Sequence, residues 1–442
     1  MAKIVIVGLG TAGISVCLTI RKKYPKNEVT IIDKKEFDLL HSCGLPFLLD
    51  GRVDSPEKLK YTLKISGIKK YLNCEAIRII PEKKDIETKN LKSGERENVS
   101  YDSLILATGT TPFIPPIPGL RELKDKRAFT IGDLEGVARL KEVAKKAKRA
   151  LVIGAGATGL EAAVALNKKG LEIIIVEALK SLLPRALDSD MSEILEEHLK
   201  KKGIKILLNK RVERVDEKSV TIDGKEIPND VIIISCGVRP NSELAKKAGV
   251  KTSDYGIVTD ERMETSVKNI YAAGDCVQVS SLIDKRPFSA YLATPAYEQG
   301  RAVAMNACGG EARYEGALAS FISLIADLEI ASTGFNKDQA ESHGYEIVEG
   351  KVKGLTKPRW FPGAKEITFK VIADTKTGKI LGAQEIGGEG TGWRINIVSL
   401  AIKANLSLED LSKVEFAYSP ATSHIPDVLL TATDLALRKL KT

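Results

Sequence analysis

One short pattern occurs twice in this sequence and constrains the fold more than any other feature. It reads KIVIVGLGTAG over Lys3–Gly13 and ALVIGAGATG over Ala150–Gly159. Each copy joins an apolar segment of strand length to a GxGxxG turn and then to small residues that begin a helix. The first glycine lets the chain reverse, the second lets the backbone approach a pyrophosphate, and the third lets helix and strand pack closely. The repeat predicts two dinucleotide-binding units.

The first copy is followed by an acidic residue at the spacing of a dinucleotide site. Its glycines are Gly8, Gly10 and Gly13, and the next strand pattern, EVTIID, ends at Asp33, 20 residues after the last glycine. A carboxylate at the end of that strand can accept hydrogen bonds from ribose hydroxyls. We therefore expect Asp33 to contact the ribose of the first nucleotide.

The second copy repeats this arrangement and adds a specificity argument. Its glycines are Gly154, Gly156 and Gly159, and the strand pattern LEIIIVE ends at Glu177, 18 residues after the last glycine. A carboxylate in this place binds a free ribose 2′-hydroxyl and repels a 2′-phosphate. The second unit is therefore expected to prefer NADH over NADPH.

The order of strand and helix patterns predicts the domain organisation. They alternate through the first 315 residues, which favours doubly wound α/β layers, and separate strands with one clear helix follow. Crossings between domains are expected at the stiff, proline-rich Thr110–Gly119 and at Val238–Asn241. The fold class is thus α/β, with two Rossmann-like domains and a C-terminal α+β domain. The predicted ranges are 1–114 and 241–315 for the first nucleotide domain, 115–240 for the second and 316–442 for the tail.

Charge and apolar content narrow the classes of function. The net charge of +9 is scattered along the 442 residues and mixed with acidic side chains, which argues against nucleic-acid binding. No segment approaches the roughly 20 apolar residues of a membrane-spanning helix, and the first residues show neither an export nor a transit pattern. We expect a cytoplasmic protein without a membrane partner.

The six cysteines show no CxxC spacing and no metal-type cluster, so structural disulfides and zinc are not expected. Positions where a small apolar residue would serve equally well are occupied by Cys17, Cys236, Cys276 and Cys308. Cys43 differs, because Pro46 of LLHSCGLPFLLDG fits the first turn of a helix that follows it. Amides and the dipole at a helix N-terminus favour a thiolate. His41, if protonated, would add to this, although a packing or surface role is the simpler expectation for it.

Two further segments resemble those of a known family. They are YDSLILATG over Tyr101–Gly109 and NIYAAGDC over Asn269–Cys276. With the order of the two units, they resemble the pyridine nucleotide-disulfide oxidoreductase superfamily over residues 1 to about 315. The resemblance implies that the first unit holds FAD, that Asp275 meets its ribityl and phosphate region, and that the second unit holds NADH. The further cofactor contacts that it implies are Thr11, Ala12, Ser42, Ala107, Thr108, Gly109, Thr158, Glu161, Gly237, Gly274 and Ala293.

The CGLP element at Cys43 has no CxxxxC partner and resembles the single-cysteine branch of this superfamily. The branch comprises coenzyme A disulfide reductases, NADH oxidases, NADH peroxidases and NADH-dependent persulfide or sulfur reductases. GFNKDQA from Gly334, together with Gly378–Gly388 and Phe416–His424, resembles the family's dimerisation domain. The resemblance implies a homodimer in which Cys43 and Tyr418 are catalytic, with Tyr418 reaching the cysteine of the partner subunit.

Two departures from the family pattern bear on the substrate. Oxidases and peroxidases of the branch usually carry a histidine in the first glycine turn, where this chain has Thr11. That difference favours the coenzyme A disulfide or persulfide reductases. Family members also commonly carry a serine a few residues before the cysteine, where this chain has Asp38, Leu39 and Leu40, with Ser42 adjoining the cysteine. Coenzyme A docking through that serine therefore stays open.

These features lead to one main hypothesis and three alternatives. The main hypothesis is an FAD enzyme that uses NADH to reduce a disulfide, persulfide or polysulfide through Cys43, with a coenzyme A-linked substrate expected first. The first alternative is an NADH oxidase that reduces oxygen at the flavin. The second is an electron-transfer reductase for a small iron protein such as rubredoxin, and the third is a non-catalytic NADH-sensing protein.

Overall fold

The structure is a computed structural model that describes residues 1–388 and 390–441. Its helices are α1 Thr11–Lys23, α2 Leu45–Asp50, α3 Leu134–Ala144, α4 Ala157–Asn167, α5 Ser189–Lys201, α6 Glu243–Lys247, α7 Ala293–Ala307, α8 Lys337–Ser342, α9 Trp393–Lys403, α10 Leu408–Ser412 and α11 Val428–Lys441. Short 3-10 turns lie at Ser42–Gly44, Pro56–Leu59 and Pro81–Lys83. Among the described residues, no helix is both long enough and apolar enough to span a membrane.

The strands are, in chain order, β1 Lys3–Val7, β2 Glu28–Ile32, β3 Leu39–Leu40, β4 Lys60–Tyr61, β5 Ile68–Tyr71, β6 Cys74–Ile80, β7 Asp85–Asn90, β8 Arg96–Ser100, β9 Ser103–Leu106, β10 Thr110–Pro112, β11 Ala128–Phe129, β12 Arg149–Ile153, β13 Glu172–Val176, β14 Lys205–Leu207, β15 Val212–Val215, β16 Ser219–Ile222, β17 Lys225–Pro228, β18 Val231–Ile234, β19 Val238–Pro240, β20 Thr252–Ser253, β21 Gly256–Ile257, β22 Ile270–Ala272, β23 Val279–Ser280, β24 Pro287–Phe288, β25 Phe321–Ile325, β26 Leu328–Gly334, β27 Ile347–Leu355, β28 Glu366–Asp374 and β29 Ile380–Gly387.

The chain divides into two units, each assembled from separate stretches. The first unit contains residues 1–44, 54–112 and 238–317. Its main sheet is parallel and has the strand order β22-β9-β1-β2-β5. The chain continues from β1 to β2 on one side of β1, whereas β9 lies on its other side. The carboxyl ends of β1 and β9 therefore adjoin the position at which doubly wound folds bind ligands. The first glycine turn lies at this edge.

Helix packing in the first unit depends on small residues. α1 lies against α7, and the Ser15 hydroxyl donates to the carbonyl oxygen of Tyr297 at 2.6 Å. A Cβ on Gly300 would lie 2.6 Å from the carbonyl oxygen of Ala12, so only glycine permits this approach. The centre of the sheet beneath is apolar, as in β1, where Ile4, Val5 and Ile6 are at most 1% exposed.

The second unit contains residues 45–53, 113–237 and the chain from residue 318 onward. Its parallel sheet has the order β11-β18-β12-β13-β14 and is accompanied by the antiparallel ribbon β15-β16-β17. The tail forms an antiparallel sheet of order β25-β26-β29-β28-β27, against which α9 and α11 pack. The predicted α/β class, with two parallel nucleotide-type sheets and an α+β tail, is confirmed.

The two predicted crossings pair with each other. β10 and β19 form an antiparallel ribbon in which Thr111 lies opposite Arg239. The proline-rich segment therefore begins as a short paired strand, Thr110–Pro112. The predicted boundaries at 114, 240 and 315 stay predictions, and residue 442, with which the predicted tail ends, lies outside the described residues.

Candidate active site

The first glycine turn is shaped by contacts that exclude a side chain at two of its three glycines. Gly8 has φ +98°, and a Cβ there would lie 2.2 Å from the carbonyl oxygen of Ala107. A Cβ on Gly13 would lie 2.2 Å from the carbonyl oxygen of Gly8. Gly10 differs, since nothing lies within 4 Å of its Cβ position. Space for a ligand is therefore present at the middle glycine, as the pyrophosphate argument requires.

The N-terminus of α1 opens onto the same space. Gly10 is its N-cap and offers no side-chain acceptor, so the first-turn amides are left for a ligand such as phosphate. Thr11, the first residue of α1, is half-buried and Ala12 is buried. Both lie in the turn in which the prediction placed them. Thr11 is also the position at which oxidases of the branch usually carry histidine.

Asp33 ties the second strand to the glycine turn. It is 7% exposed, and its Oδ2 accepts from the backbone nitrogen of Leu9 at 2.6 Å. Its Oδ1 accepts from the backbone nitrogen of Lys35 at 2.8 Å, and the Lys35 ammonium lies 2.6 Å from Oδ2. A carboxylate offers about four acceptor sites. Asp33 therefore retains acceptor capacity for a ribose hydroxyl while it holds the turn.

The second glycine turn has nearly the same geometry as the first. Gly154 has φ +97°, and a Cβ there would lie 2.2 Å from the carbonyl oxygen of Ser235. A Cβ on Gly159 would lie 2.5 Å from the carbonyl oxygen of Gly154, while nothing lies within 4 Å of the Cβ position of Gly156. Gly156 is the N-cap of α4, as Gly10 is of α1. This turn also fits a dinucleotide.

Glu177 takes the place of Asp33 in the second unit. Its Oε2 accepts from the backbone nitrogen of Ala155 at 2.7 Å, and its Oε1 accepts from that of Leu179 at 2.8 Å. The side chain is 8% exposed. Among the described residues, no lysine forms an ion pair with Glu177 as Lys35 does with Asp33. Glu177 therefore retains acceptor capacity beyond its two backbone amide contacts.

Other predicted contacts of the second unit lie on or near α4. Thr158 is exposed on its first turn, and Gly237, with φ +91°, accepts from the backbone nitrogen of Phe113 at 2.9 Å. Glu161 is half-buried, and its Oε1 accepts from the hydroxyl of Ser323 at 2.6 Å. Burial raises the pKa of the Glu161 carboxyl, although Ser323 opposes the shift. Glu161 is thereby joined to the tail sheet through β25.

The ATG turn of the first unit is held by a residue that sequence reasoning marked only as part of a crossing. The Thr108 hydroxyl donates to the carbonyl oxygen of Asn241 at 2.7 Å, and the Asn241 amide donates to the carbonyl oxygen of Thr108 at 2.8 Å. The backbone nitrogen of Asn241 donates to Gly109, which has φ +64°. The available signal was Asn241 itself, at the end of the Val238–Asn241 crossing, because asparagine side chains readily form hydrogen bonds with the backbone of turns.

A cavity lies beside the Gly-Asp turn of the first unit, between it and the start of α7. Its lining includes Gly274, Asp275, Leu292, Pro295 and Ala296. Burial raises the pKa of Asp275. Ala293 begins α7 after Leu292, which provides no side-chain cap among the described residues. The Asp275 carboxyl and the start of α7 thus border one cavity, in which a carboxyl can accept hydrogen bonds from the hydroxyl groups of a ligand.

Gln299 was missed by sequence reasoning. It is 1% exposed, and its Oε1 accepts from the backbone nitrogen of Gly274 at 2.7 Å. It therefore fixes the turn that bears Asp275 onto α7. Its position within YEQG gave no local signal, because the contact joins segments 25 residues apart.

Cys43 lies in the 3-10 turn Ser42–Gly44, immediately before α2 in the sequence, and Pro46 is the second residue of α2, as predicted. Cys43 and Ser42 are exposed. His41 is also exposed, and its ring lies edge-on to Tyr61 at 6.4 Å between centroids. A packing or surface role for His41 was the expectation from the sequence. Cys43 is therefore accessible to solvent.

The other cysteines are buried or half-buried. Burial raises the pKa of Cys17 to about 12 and that of Cys236 to about 11. It also raises the pKa of Cys74, Cys276 and Cys308. These groups stay thiols near neutral pH, whereas a nucleophilic cysteine must reach the thiolate form. The structure therefore distinguishes Cys43 by its exposure, as the surrounding sequence did.

Tyr418 is 45% exposed in the stretch between α10 and α11. His424 is half-buried in the same stretch, with its Nδ1 at 3.3 Å from the carbonyl oxygen of Pro426. Among the tail residues, Trp360, Leu400, Ile425 and Ile322 each expose more than half of their surface, at 73%, 67%, 64% and 59%.

These sites and folds define a class of enzyme. Residues 2–300 match the model of the family described as pyridine nucleotide-disulphide oxidoreductase, and residues 321–428 match that family's dimerisation domain. The chain belongs to this family. The predictions of the family and of an oxidoreductase that uses a pyridine nucleotide are confirmed.

Three proteins illustrate the likeness. A protein of Methanocaldococcus jannaschii named NADH oxidase is 38% identical, with 99% of each chain covered. The Pyrococcus abyssi CoA-dependent NAD(P)H sulfur oxidoreductase is 30% identical, over 97% of this chain and 96% of that protein. The structure of an NAD-dependent persulfide reductase from A. fulgidus superposes with a TM-score of 0.95 at 31% identity, over 99% of this chain and 84% of that chain.

Proposed function

We propose that this chain is an FAD-dependent enzyme that uses NADH to reduce a disulfide, persulfide or polysulfide through Cys43. A coenzyme A-linked substrate is the first candidate. The observation that carries the proposal is that Cys43 is exposed, whereas the other five cysteines are buried or half-buried. The A. fulgidus and P. abyssi proteins support it, since their names specify a persulfide and a CoA-dependent sulfur substrate.

In this proposal the two glycine turns hold different nucleotides. FAD is held by segments 1–114 and 241–315, through the amides after Gly10, the ribose acceptor Asp33 and the cavity beside Asp275. NADH is held by segment 115–240, with Glu177 accepting from its ribose. When bound, FAD would supply a carrier for the two electrons that NADH gives up as hydride. The protein residues bind and orient both nucleotides.

The sulfur chemistry is assigned to Cys43. Its thiolate attacks a persulfide, R–S–SH, forming an R–S–S–Cys43 bond and releasing HS⁻. The hydride equivalent from NADH then cleaves this mixed disulfide to RSH and the Cys43 thiolate, and NAD⁺ is released. With a symmetrical disulfide the first leaving group is RS⁻, and one further proton from water gives two RSH. Cys43 ends each cycle as the thiolate with which it began.

Dimer formation belongs to the same proposal. The family's dimerisation domain matches residues 321–428, and the tail exposes large apolar side chains that an identical subunit would cover. In the dimer Tyr418 would reach the cysteine of the partner subunit. Sedimentation equilibrium tests this: wild type should be dimeric at micromolar concentration, and Leu400→Lys together with Ile322→Lys should shift it toward monomer. A monomeric, fully active wild type would contradict the dimer proposal.

Replacement of Cys43 tests the function directly. Cys43→Ser should lose NADH-dependent reduction of coenzyme A disulfide and of coenzyme A persulfide, while NADH still bleaches the flavin absorbance. Cys308→Ser is the matched control, because Cys308 accepts a hydrogen bond from the Asn27 amide at 3.1 Å that a serine can keep. It should retain activity. Undiminished disulfide and persulfide reduction by Cys43→Ser would exclude the thiol mechanism.

An NADH oxidase is the second candidate, favoured by the name of the M. jannaschii protein. Thr11, where oxidases of the branch usually have histidine, opposes it. Oxygen consumption in the same preparations separates the two. An oxidase turns over oxygen with NADH at least as fast as it reduces the best sulfur substrate, whereas a sulfur reductase consumes oxygen only as a slow side reaction.

A further inference from the structure

Two neighbouring residues at the start of α9 contact the two ends of one exposed stretch of the tail. This stretch, residues 416–427, is called the tail segment below and lies between α10 and α11. The Trp393 ring lies 6.3 Å from the ring of Phe416, where the segment begins. The Arg394 side chain binds Asp427, where the segment ends. Both ends are thus held by the same turn of helix.

The Arg394 contact is buried and has the geometry of a strong ion pair. Its Nε lies 2.9 Å from Oδ1 of Asp427, and its Nη2 lies 2.8 Å from Oδ2. Arg394 is 1% exposed and Asp427 is 3% exposed. Two parallel N–H donors on one carboxylate fix orientation as well as distance, which a single ammonium cannot do.

Asp427 is anchored on its other side as well. Its Oδ1 accepts from the backbone nitrogen of Leu429 at 2.9 Å, within the first turn of α11. The end of the tail segment is thereby joined to two helices through one carboxylate. A shift of Asp427 would move the segment relative to both α9 and α11.

Among the described residues, the hydrogen bonds in the middle of the tail segment join only residues that are close in the sequence. The Ser423 hydroxyl lies 3.2 Å from the backbone nitrogen of Ser419, and the backbone nitrogen of Ser423 donates to the carbonyl oxygen of Ser419 at 2.9 Å. These bonds shape a local turn but do not set its direction. Tyr418 and Ile425 are 45% and 64% exposed. The path of the segment therefore depends on its two ends.

We propose that Arg394 is a positioning residue, whose paired contact with Asp427 holds the tail segment so that Tyr418 reaches the active site of the partner subunit. Trp393 holds the other end against Phe416. The inference rests on the proposed function, in which Tyr418 acts beside the cysteine of the partner subunit. It adds a buried residue that touches neither substrate nor cofactor.

Glu385 explains why an arginine is needed. It is 0% exposed on β29, and its Oε1 lies 3.3 Å from Nη1 of Arg394. A lysine has one point charge and cannot contact this carboxyl and both oxygens of Asp427 together. Arg394→Lys therefore keeps the charge and volume of the site but loses the paired geometry, which makes it the discriminating substitution.

The first test compares Arg394→Lys, Tyr418→Phe and the double variant. Each single variant should lower kcat for coenzyme A disulfide about tenfold, with NADH oxidation by ferricyanide unchanged. The double variant should be no slower than the slower single variant, because Arg394 acts through Tyr418. Losses that multiply, or an equal loss with ferricyanide, would overturn the proposal.

Lys370→Met is the matched control for general destabilisation. Lys370 is also 1% exposed in the tail sheet and pairs with Asp188 at 2.9 Å and Glu349 at 3.0 Å, and neither of these residues belongs to the tail segment. Its replacement should lower the melting temperature at least as much as Arg394→Lys does, with kcat retained at 25 °C. A loss of kcat in Lys370→Met equal to that in Arg394→Lys would mean that stability alone explains both.

A second readout does not need sulfur-reductase activity. In the dimer, hydrogen exchange of amides in residues 416–427 should be about tenfold faster in Arg394→Lys than in wild type, while β28 and β29 stay protected. Unchanged exchange would overturn the positioning role whatever the activity. A wild type that reduces no sulfur substrate, with exchange raised in the variant, would count against the proposed function and leave the positioning of the segment supported.

Discussion

The Oε2 atom of Glu177 accepts a hydrogen bond from the backbone nitrogen of Ala155 at 2.7 Å. The contact ties the acid at the end of β13 to the glycine turn at the end of the neighbouring β12. In the first unit Asp33 binds the nitrogen of Leu9 at 2.6 Å in the same way. Each acid thus orders its turn before any nucleotide binds, and its remaining lone pairs stay available for ribose.

Glu177→Gln should reduce the preference for NADH over NADPH. The variant keeps one oxygen for the Ala155 nitrogen but removes the charge that repels a 2′-phosphate. We expect the ratio of kcat/KM values, NADH over NADPH, to fall by about 10- to 100-fold, measured by steady-state NAD(P)H oxidation. Glu172→Gln, at the exposed start of the same strand, is the control and should leave the ratio unchanged. A ratio unaffected by Glu177→Gln would contradict the assignment of Glu177 to the ribose.

Gly8→Ala should lower the stability of the protein, whereas Gly10→Ala should weaken FAD binding. At Gly8 a methyl group would lie 2.2 Å from the carbonyl oxygen of Ala107 at a φ of +98°, so we expect a loss of about 3 kcal/mol or more in the free energy of unfolding. At Gly10 no atom lies within 4 Å, so the apoprotein should keep its stability. Because a pyrophosphate would fill that space, Gly10→Ala should weaken FAD binding at least about tenfold. Denaturant unfolding and flavin titration measure the two effects. A Gly10→Ala protein that binds FAD as tightly as wild type would place the phosphates elsewhere.

Cys43 should be the first cysteine to react with iodoacetamide in the native protein at pH 8. It is exposed, whereas burial raises the pKa of Cys17 to about 12 and that of Cys236 to about 11, which leaves those sulfurs almost entirely as thiols. Peptide mass spectrometry of the partly modified protein should find the label at Cys43, in proportion to the loss of disulfide reductase activity. Equal labelling of Cys17 would contradict this.

Glu385→Gln should stabilise the protein increasingly as pH rises. Burial raises the pKa of Glu385 well above its usual value of 4.5, with Asp427 adding to the shift and Arg394 opposing it. Between the unfolded and folded pKa values the folded wild type binds more protons than the unfolded chain. Its free energy of unfolding therefore falls with pH, by up to about 1.4 kcal/mol per pH unit from this group.

Glutamine does not titrate, and the other ionisable groups are common to both proteins. The stability of Glu385→Gln minus that of wild type should therefore be smallest near pH 4.5 and grow toward pH 8. Urea unfolding at several pH values measures this difference. A difference that is constant with pH would show that Glu385 has the same pKa in the folded and unfolded chains.

Much of the candidate site was predictable because its signals are local. The repeat placed Gly8 and Gly154, and the strand ends placed Asp33 and Glu177, since a parallel βαβ unit needs these residue types at these spacings. Cys43 stood out because of the proline three residues after it. The contacts of Asn241, Gln299 and Arg394 were not predicted, because each joins segments that are distant in the sequence.

The sequence by itself determined the two glycine-turn units and the family, and it predicted Cys43 as the reactive cysteine, because glycine conformation, strand periodicity and turn spacing are properties of neighbouring residues. The tertiary structure decided which buried polar groups meet. It paired β10 with β19, set Gln299 on the Gly274 turn and brought Arg394 to Asp427, 33 residues away. Such contacts form only when burial leaves a polar group without water, so its partner is chosen by packing.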